Sequence, residues 1–215
     1  SLFDGMSCGQ IALNRVGIKY DNYFASEIDK HAIKVTQYNY PNTVQLGSVV
    51  DVKGEDLPKI DLMFGGSPCQ SFSFAGKRNG MSTVDNIEIT TLEQYLDLKE
   101  HGFEFNGQSY LFWEYVRILH EVKPKYFLLE NVKMAKKWKD VISKTLGTQP
   151  IEINSNLVSA QNRHRLYWTN IPSTDKPCKV RSVIENGNYK PSTIAYKHGK
   201  KFVKFTGSKF MTLTT

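Results

Sequence analysis

The sequence predicts an α/β fold built on a doubly wound, mostly parallel β-sheet. Short apolar runs of the kind that form buried strands alternate along the chain with longer segments whose apolar residues recur at helical spacing. Glycine, proline and polar residues separate the two kinds of segment, as they do where elements end. This alternation is typical of parallel sheets covered by helices, and 215 residues are enough to bury one sizeable core.

The predicted elements follow one another in regular order over the first third of the chain. Strands are predicted at residues 1–3, 23–26, 44–46 and 60–64. Residues 4–9 form the turn after the first strand. Helices are predicted at residues 10–16 and 30–40, and they end at Gly17 and Pro41.

The second half of the chain continues this alternation and then loses it. Strands are predicted at residues 126–132, 151–153, 157–159 and 166–169, and helices at 111–120 and 133–146. Gly147 gives the last helix a C-terminal stop. Residues 77–108 interrupt the rhythm, and no long periodic run follows Pro172.

The composition bounds the class of protein. The sequence has no run of about 18 apolar residues that could span a membrane, and no signal peptide is visible in it. The three cysteines are odd in number and widely spaced, which argues against a disulfide framework, and no Cys/His spacing indicates zinc. The chain opens on Ser1 without a methionine, and we expect a few residues to precede it.

The charge favours polyanionic partners. The formal net charge is +7, and residues 190–215 carry six lysines and no acid. A solvated basic tail would have the same composition, but contact with phosphates is the favoured interpretation. The charge does not distinguish DNA from RNA.

Three polar clusters stand beside predicted strands. Cys69 follows the strand at 60–64 after a Gly-Gly-Ser-Pro break, on the loop where open α/β sheets bind ligands. A thiol there can act as a nucleophile. Glu130 lies near the end of the strand at 126–132. Arg163 and Arg165 stand two residues apart, so in an extended chain they face the same side.

These clusters, in this order, resemble the motifs of the cytosine-C5 DNA methyltransferase family. The matching segments are Pro68-Cys69-Gln70, Glu130-Asn131-Val132, Gln161-x-Arg163-x-Arg165 and the opening Phe3-Asp4-Gly5-Met6-Ser7-Cys8-Gly9, which is similar to the family's Phe-x-Gly-x-Gly loop. The resemblance covers roughly residues 1–172. It implies a Rossmann-like class I methyltransferase fold, followed by the start of a target-recognition region.

The resemblance implies covalent catalysis on a cytosine flipped out of the DNA stack. Cys69 would add to C6 of the ring, which makes C5 nucleophilic. Glu130 would protonate or hydrogen-bond N3, and Arg165 with Arg163 would donate to O2 or to a neighbouring phosphate. Asn131 and Gln161 are expected to order their loops rather than to touch the base.

The methyl donor implied by the family is S-adenosylmethionine. The residues expected to bind it are Phe3, Asp4, Gly5, Met6, Glu27, Ile28, Ser48, Pro68 and Leu111. Glu27 would accept from the ribose hydroxyls, and Ile28 would cover the adenine. Ser48 stands where the family often has an aspartate that holds the adenine amino group, and Asp51 is the alternative.

The expected organisation is a catalytic domain at residues 1–172 and a partial, lysine-rich target-recognition region at 173–215. We interpret 77–108 as an insertion in the loop that would close over DNA; a surface subdomain without catalytic role is the alternative. The family's last motif is not found before Thr215, so truncation or a second polypeptide completing the cofactor pocket is expected.

The expected partner is double-stranded DNA, with no membrane and no metal, in the cytoplasm of a bacterial or phage-infected cell and in a restriction-modification setting. The alternatives are a methyltransferase of the same family acting on tRNA, and a non-catalytic regulatory or DNA-binding subunit. An unrelated basic nucleotide-fold binding module would leave Cys69, Glu130 and the paired arginines unexplained together.

Overall fold

A computed structural model describes residues 1–68, 80–157 and 161–172, together with the backbones of two strands at 193–197 and 201–205. Cys69 therefore lies outside the described residues, as do Lys190, Lys200 and Lys209 near the C-terminus. The chain divides into two compact units. The first contains Ser1–Pro150 and Tyr167–Ile171, and the second contains Ile151–Leu166 and Pro172–Thr215.

Five α-helices and eight β-strands are present among the described residues. The helices are α1 (Cys8–Arg15), α2 (Lys30–Asn39), α3 (Leu92–Glu100), α4 (Phe112–Val122) and α5 (Lys136–Leu146). The strands are β1 (Phe24–Ser26), β2 (Val44–Gly47), β3 (Leu62–Gly65), β4 (Tyr126–Val132), β5 (Ile151–Asn154), β6 (His164–Thr169), β7 (Thr193–Lys197) and β8 (Lys201–Phe205). Short 3-10 helices occupy Gly54–Asp56, Ser109–Leu111 and Ser155–Leu157.

The central sheet of the first unit is parallel over its described strand pairs, as predicted. β1 pairs with β2, and β3 pairs with β4, both in parallel register. Leu2 forms parallel bridges to Ser26 and to Gly65, so this residue joins the two pairs in place of the full strand predicted at 1–3. Gly65 permits this contact, because a Cβ at that position would lie 2.6 Å from the Leu2 carbonyl oxygen.

The end of β6 extends this sheet beside β4. The Thr169 hydroxyl donates to the Phe127 carbonyl at 2.5 Å, and the Trp168 indole donates to Ser143 of α5 at 2.9 Å. In the second unit, the start of β6 lies beside β5, and β7 and β8 form an antiparallel hairpin. The sequence analysis predicted no element over that hairpin. Of the strand predicted at 157–159, residues 158 and 159 lie outside the described residues, and Leu157 ends a 3-10 helix.

The insertion is the largest departure from the prediction. Its described part contains α3 and packs against α4, with Tyr95 and Leu98 buried. An aromatic cluster of Tyr95, Phe105 and Tyr110, with ring centroids 4.6 to 6.1 Å apart, closes the contact. The sequence analysis predicted no helix within residues 77–108, so α3 is an element that it missed. The helix α4 that α3 contacts has six of its eleven residues buried.

No helix among the described residues is long and apolar enough to cross a membrane. Across the same part of the chain, no group of three or more His, Cys, Asp or Glu side chains could hold a metal ion.

Candidate active site

The predicted site residues of the first unit gather at one edge of the sheet. Parallel strands bring their carboxyl ends to the same edge, where open α/β sheets bind ligands. The loops that leave this edge carry Phe3 after the Leu2 bridge, Glu27 after β1, Ser48 after β2 and Pro68 after β3. Glu130 lies near the end of β4, in the same parallel arrangement.

The loop after Leu2 has an unusual backbone. Phe3, Gly5 and Ser7 have φ values of 57°, 60° and 62°, in the left-handed region that only glycine adopts without strain. The strain at Phe3 and Ser7 is held by hydrogen bonds around Asp4, whose amide donates to the Ser26 carbonyl at 3.1 Å. A Cβ at Gly5 would meet no atom within 4 Å, so open space faces this turn.

Asp4 is the buried centre of the hydrogen bonds that order this loop. Asp4 is 8% exposed, and its carboxylate accepts from the Ser7 hydroxyl at 2.6 Å and from the Tyr23 hydroxyl at 2.7 Å. Burial raises the pKa of Tyr23, and the neighbouring Asp4 carboxylate adds to the rise, so this phenol remains a hydrogen-bond donor. Gln10 extends the network with hydrogen bonds to Ser7 and Thr43. Contact between Asp4 and a methyl donor stays a prediction.

Glu27 fastens this loop to the end of β1. One carboxylate oxygen accepts from the Gly5 amide at 2.7 Å, and the other accepts from the amides of Ile28 and Asp29 at 2.8 and 2.9 Å. A carboxylate offers about four acceptor positions, so one remains for a further donor. The Thr36 hydroxyl adds a 3.3 Å hydrogen bond to the Gly5 carbonyl.

Apolar and polar side chains surround this fastened loop. Ile28 and Met6 are 69% and 56% exposed, which leaves apolar surface available at the edge. The Ser48 hydroxyl accepts from the Val50 amide at 3.3 Å and so orders the turn after β2. Leu111 is half-buried at the end of the 3-10 helix before α4, and its place in a donor pocket stays a prediction.

The segment that leads toward Cys69 is fixed against the end of β4. Asn131 is buried, and its amide nitrogen donates to the Ser67 carbonyl at 3.2 Å and to the Ser67 hydroxyl at 3.1 Å. A Cβ at Gly66 would lie 3.2 Å from the Glu130 carboxylate, so Glu130 faces the backbone of this segment. The hydrogen bonds of Asn131 are of the loop-ordering kind predicted for it.

The two predicted arginines belong to the second unit. Arg163 is exposed and precedes β6, whereas Arg165 is half-buried within that strand. The Asn154 side chain orders their segment: its oxygen accepts from the Arg163 amide at 3.0 Å and its nitrogen donates to Asn162 at 2.7 Å. The Gln161 carbonyl accepts from the Ser155 hydroxyl at 2.6 Å. The roles of both arginines at a base or phosphate stay predictions.

The sequence analysis did not predict the residues whose hydrogen bonds order the loops of the candidate site. Tyr23, Ser67 and Asn154 each make a hydrogen bond that shapes a predicted site segment. For Ser67 a signal was available, because a serine between Gly66 and Pro68 is a small polar residue in a sharp turn. Tyr23 and Asn154 gave no comparable local signal.

The chain is similar to known DNA methyltransferases. The profile of C-5 cytosine-specific DNA methylase matches residues 1–95 and 98–198. The orphan methyltransferase M.SPBetaI of Bacillus phage SPbeta is 31% identical over 190 residues, which cover 78% of this chain and 43% of the phage protein. The type II methyltransferase M.NlaIV of Neisseria lactamica is 30% identical over 217 residues, covering 86% of this chain and 46% of that protein.

A solved structure shares the fold. The Schizosaccharomyces pombe Dnmt2 methyltransferase matches with a TM-score of 0.55 at 19% identity, covering 79% of this chain and 49% of that one. The predicted class I methyltransferase fold is therefore confirmed. The chain spans less than half the length of the two curated relatives.

Proposed function

The chain belongs to the C-5 cytosine-specific DNA methylase family, and on that premise we propose that it is the catalytic part of a DNA (cytosine-5-)-methyltransferase. The observation that best supports this proposal is the pairing of Asn131 with Ser67. These hydrogen bonds hold the segment before Cys69 against the end of β4, beside Glu130. Covalent activation of cytosine needs at least a thiol nucleophile and a carboxyl group close together, here expected from the loop after β3 and from the end of β4.

In the proposed reaction the target cytosine is flipped out of double-stranded DNA, because a stacked base does not present C6 to a thiolate. The Cys69 thiolate adds to C6, and Glu130 protonates or hydrogen-bonds N3, so that electron density reaches C5. Arg165 and Arg163 donate to O2 or to a neighbouring phosphate. After C5 is methylated, a base removes the C5 proton, and elimination restores the Cys69 thiolate.

The residues around the first loop fit S-adenosylmethionine. Glu27 keeps one acceptor position for a ribose hydroxyl, Ile28 and Met6 offer apolar cover for an adenine, and the space beside Gly5 admits a ligand close to the backbone. The bound donor would supply an activated methyl group on its sulfonium. Phe3, Ser48, Pro68 and Leu111 complete the proposed pocket.

The test is transfer of labelled methyl from S-adenosylmethionine to mixed genomic DNA, with tRNA in parallel, followed by identification of the methylated base. Because the chain spans less than half of its curated relatives, a longer version of the protein is assayed beside it. We expect label as 5-methylcytosine in DNA, none with Cys69→Ser, and at least about a hundredfold less with Glu130→Gln. Label only in tRNA, or undiminished label in either variant, would contradict the proposal.

A further inference from the structure

A buried carboxylate joins the insertion to the core. Glu114 of α4 is fully buried, and it accepts from the Tyr95 hydroxyl at 2.5 Å, from Lys99 Nζ at 2.6 Å and from Arg117 Nε at 2.7 Å. Tyr95 and Lys99 belong to α3. Burial by itself would raise the pKa of Glu114, but the hydrogen bonds from these three partners outweigh it and hold the pKa below its ordinary value. Glu114 is therefore a charged residue in the folded protein.

The same arginine reaches the segment after β2. Arg117 Nη2 donates to the Val49 carbonyl at 3.2 Å, and Nη1 donates to Glu121 at 2.8 Å. The second carboxylate oxygen of Glu121 accepts from the Gly54 amide at 2.7 Å. The guanidinium thus holds one end of residues 49–54 directly and the other through Glu121. This segment begins next to Ser48.

Lys99, Glu114, Arg117 and Glu121 form what we call the relay. We propose that the relay positions the methyl-donor pocket, so that the insertion controls donor affinity through Arg117. The inference rests on the proposed function, in which Ser48 contacts the donor. Arg117 and Lys99 are positioning residues, because both act on the pocket through the backbone at 49–54.

Two cations share the charge of Glu114. Lys99 satisfies one carboxylate oxygen and Arg117 the other. Without Lys99 the buried charge has a single cation, and the oxygen that Lys99 contacted keeps only the neutral Tyr95 hydroxyl as a donor. The guanidinium then shifts toward that oxygen, since a buried carboxylate strongly favours charged donors. That shift withdraws Nη2 from the Val49 carbonyl and loosens the segment beside Ser48.

The experiment compares Lys99→Met with Lys99→Arg, which restores the cation. Lys136→Met is the matched control, because it removes an exposed lysine that pairs with Asp140 within α5. Amide hydrogen exchange over residues 47–56 is measured first, without donor. Affinity for S-adenosylmethionine, and its KM and kcat with DNA, follow in the same proteins.

We expect Lys99→Met to speed exchange at 49–54 and to raise the donor Kd and KM roughly fivefold to tenfold, with kcat little changed. Lys99→Arg restores both readouts, and Lys136→Met alters neither. In an Arg117→Gln background, Lys99→Met has little further effect, because the two residues act in one network.

Unchanged exchange at 49–54 in Lys99→Met would overturn the inference, as would an equal effect of Lys136→Met or additive effects with Arg117→Gln. If the longer version of the protein, without these substitutions, also failed to bind S-adenosylmethionine, the proposed function would be contradicted. Hydrogen exchange would still decide whether the relay sets this segment.

Discussion

The buried amide nitrogen of Asn131 contacts Ser67 twice, at 3.2 Å from its carbonyl oxygen and 3.1 Å from its hydroxyl. These residues are 64 positions apart in the sequence and belong to the ends of neighbouring parallel strands. The asparagine therefore fixes the segment before Cys69 relative to Glu130. Its position beside the proposed acid makes it a structural support of the proposed site.

Asn131→Asp removes both donated hydrogen bonds and sets a carboxylate against the Ser67 carbonyl. We expect a loss of about 1 to 3 kcal/mol in the free energy of unfolding and at least a tenfold lower methyl-transfer rate, with donor affinity retained. Ser67→Ala removes only one of the two hydrogen bonds and should cost about 1 kcal/mol. Denaturant unfolding and single-turnover kinetics measure both effects. Equal effects of the two variants would contradict this account.

Glu27→Gln tests the fastening of the first loop. An amide can accept at one end only, so its nitrogen would face either the Gly5 amide or the amides of Ile28 and Asp29. We expect the Kd for S-adenosylmethionine to rise about tenfold to a hundredfold, the range for hydrogen bonds to charged groups. Glu93→Gln, at an exposed position in α3, is the control. Titration calorimetry that gave equal Kd values for both variants would refute the role of Glu27.

Gly80→Ala tests the place where the chain enters the insertion. Gly80 has a φ of +62°, and a Cβ there would lie 1.9 Å from the Trp138 ring. We expect a loss of about 1 to 2 kcal/mol from the backbone conformation and a further ~1 to 3 kcal/mol from overpacking. Gly102 has a φ of +75°, and a Cβ there would meet no atom within 4 Å. Gly102→Ala should therefore lose only the stability that the backbone conformation costs. Denaturant unfolding of both variants should show Gly80→Ala as the less stable.

The stability of the protein should depend on pH through Glu114. Its folded-state pKa lies below the unfolded value near 4.5, so its stabilisation is complete above that value and is lost as the pH falls through the folded pKa. Glu114→Gln should cost about 3 kcal/mol at neutral pH, because it breaks a buried ion pair. Denaturant unfolding across pH should show the gap between variant and wild type closing on the acid side of 4.5. A constant gap would contradict the assignment.

Local pattern predicted much of this fold. The strand at 126–132 was predicted with the bounds that it has, and the helix predicted at 30–40 is α2, which the Asp29 side chain caps. Helix α3 was missed although Thr91 and Gln94 supply a capping signal; the Thr91 hydroxyl accepts from the Gln94 amide at 3.2 Å. The acidic composition of the insertion masked this signal. Its apolar residues Tyr95 and Leu98 are buried against α4, a contact that the sequence pattern does not show.

The candidate site was predicted from residue type and strand position, since parallel strands end at the same edge of the sheet whichever side chains they carry. The hydrogen bonds that shape it join Asp4 with Tyr23, Glu27 with Gly5, and Arg117 with Val49. No local pattern encodes such pairs, because they depend on how distant segments pack.

The central claim is that Cys69 forms a covalent bond with a cytosine in DNA. The most direct test incubates the protein with S-adenosylmethionine and double-stranded DNA in which cytosine is replaced by 5-fluorocytosine. After methyl transfer, the fluorine at C5 cannot leave as a proton does, so the adduct persists. We expect mass spectrometry of the protein–DNA complex to locate the nucleotide on Cys69, with no adduct in Cys69→Ser. An adduct on another residue, or methylation of ordinary DNA by Cys69→Ser, would contradict the mechanism.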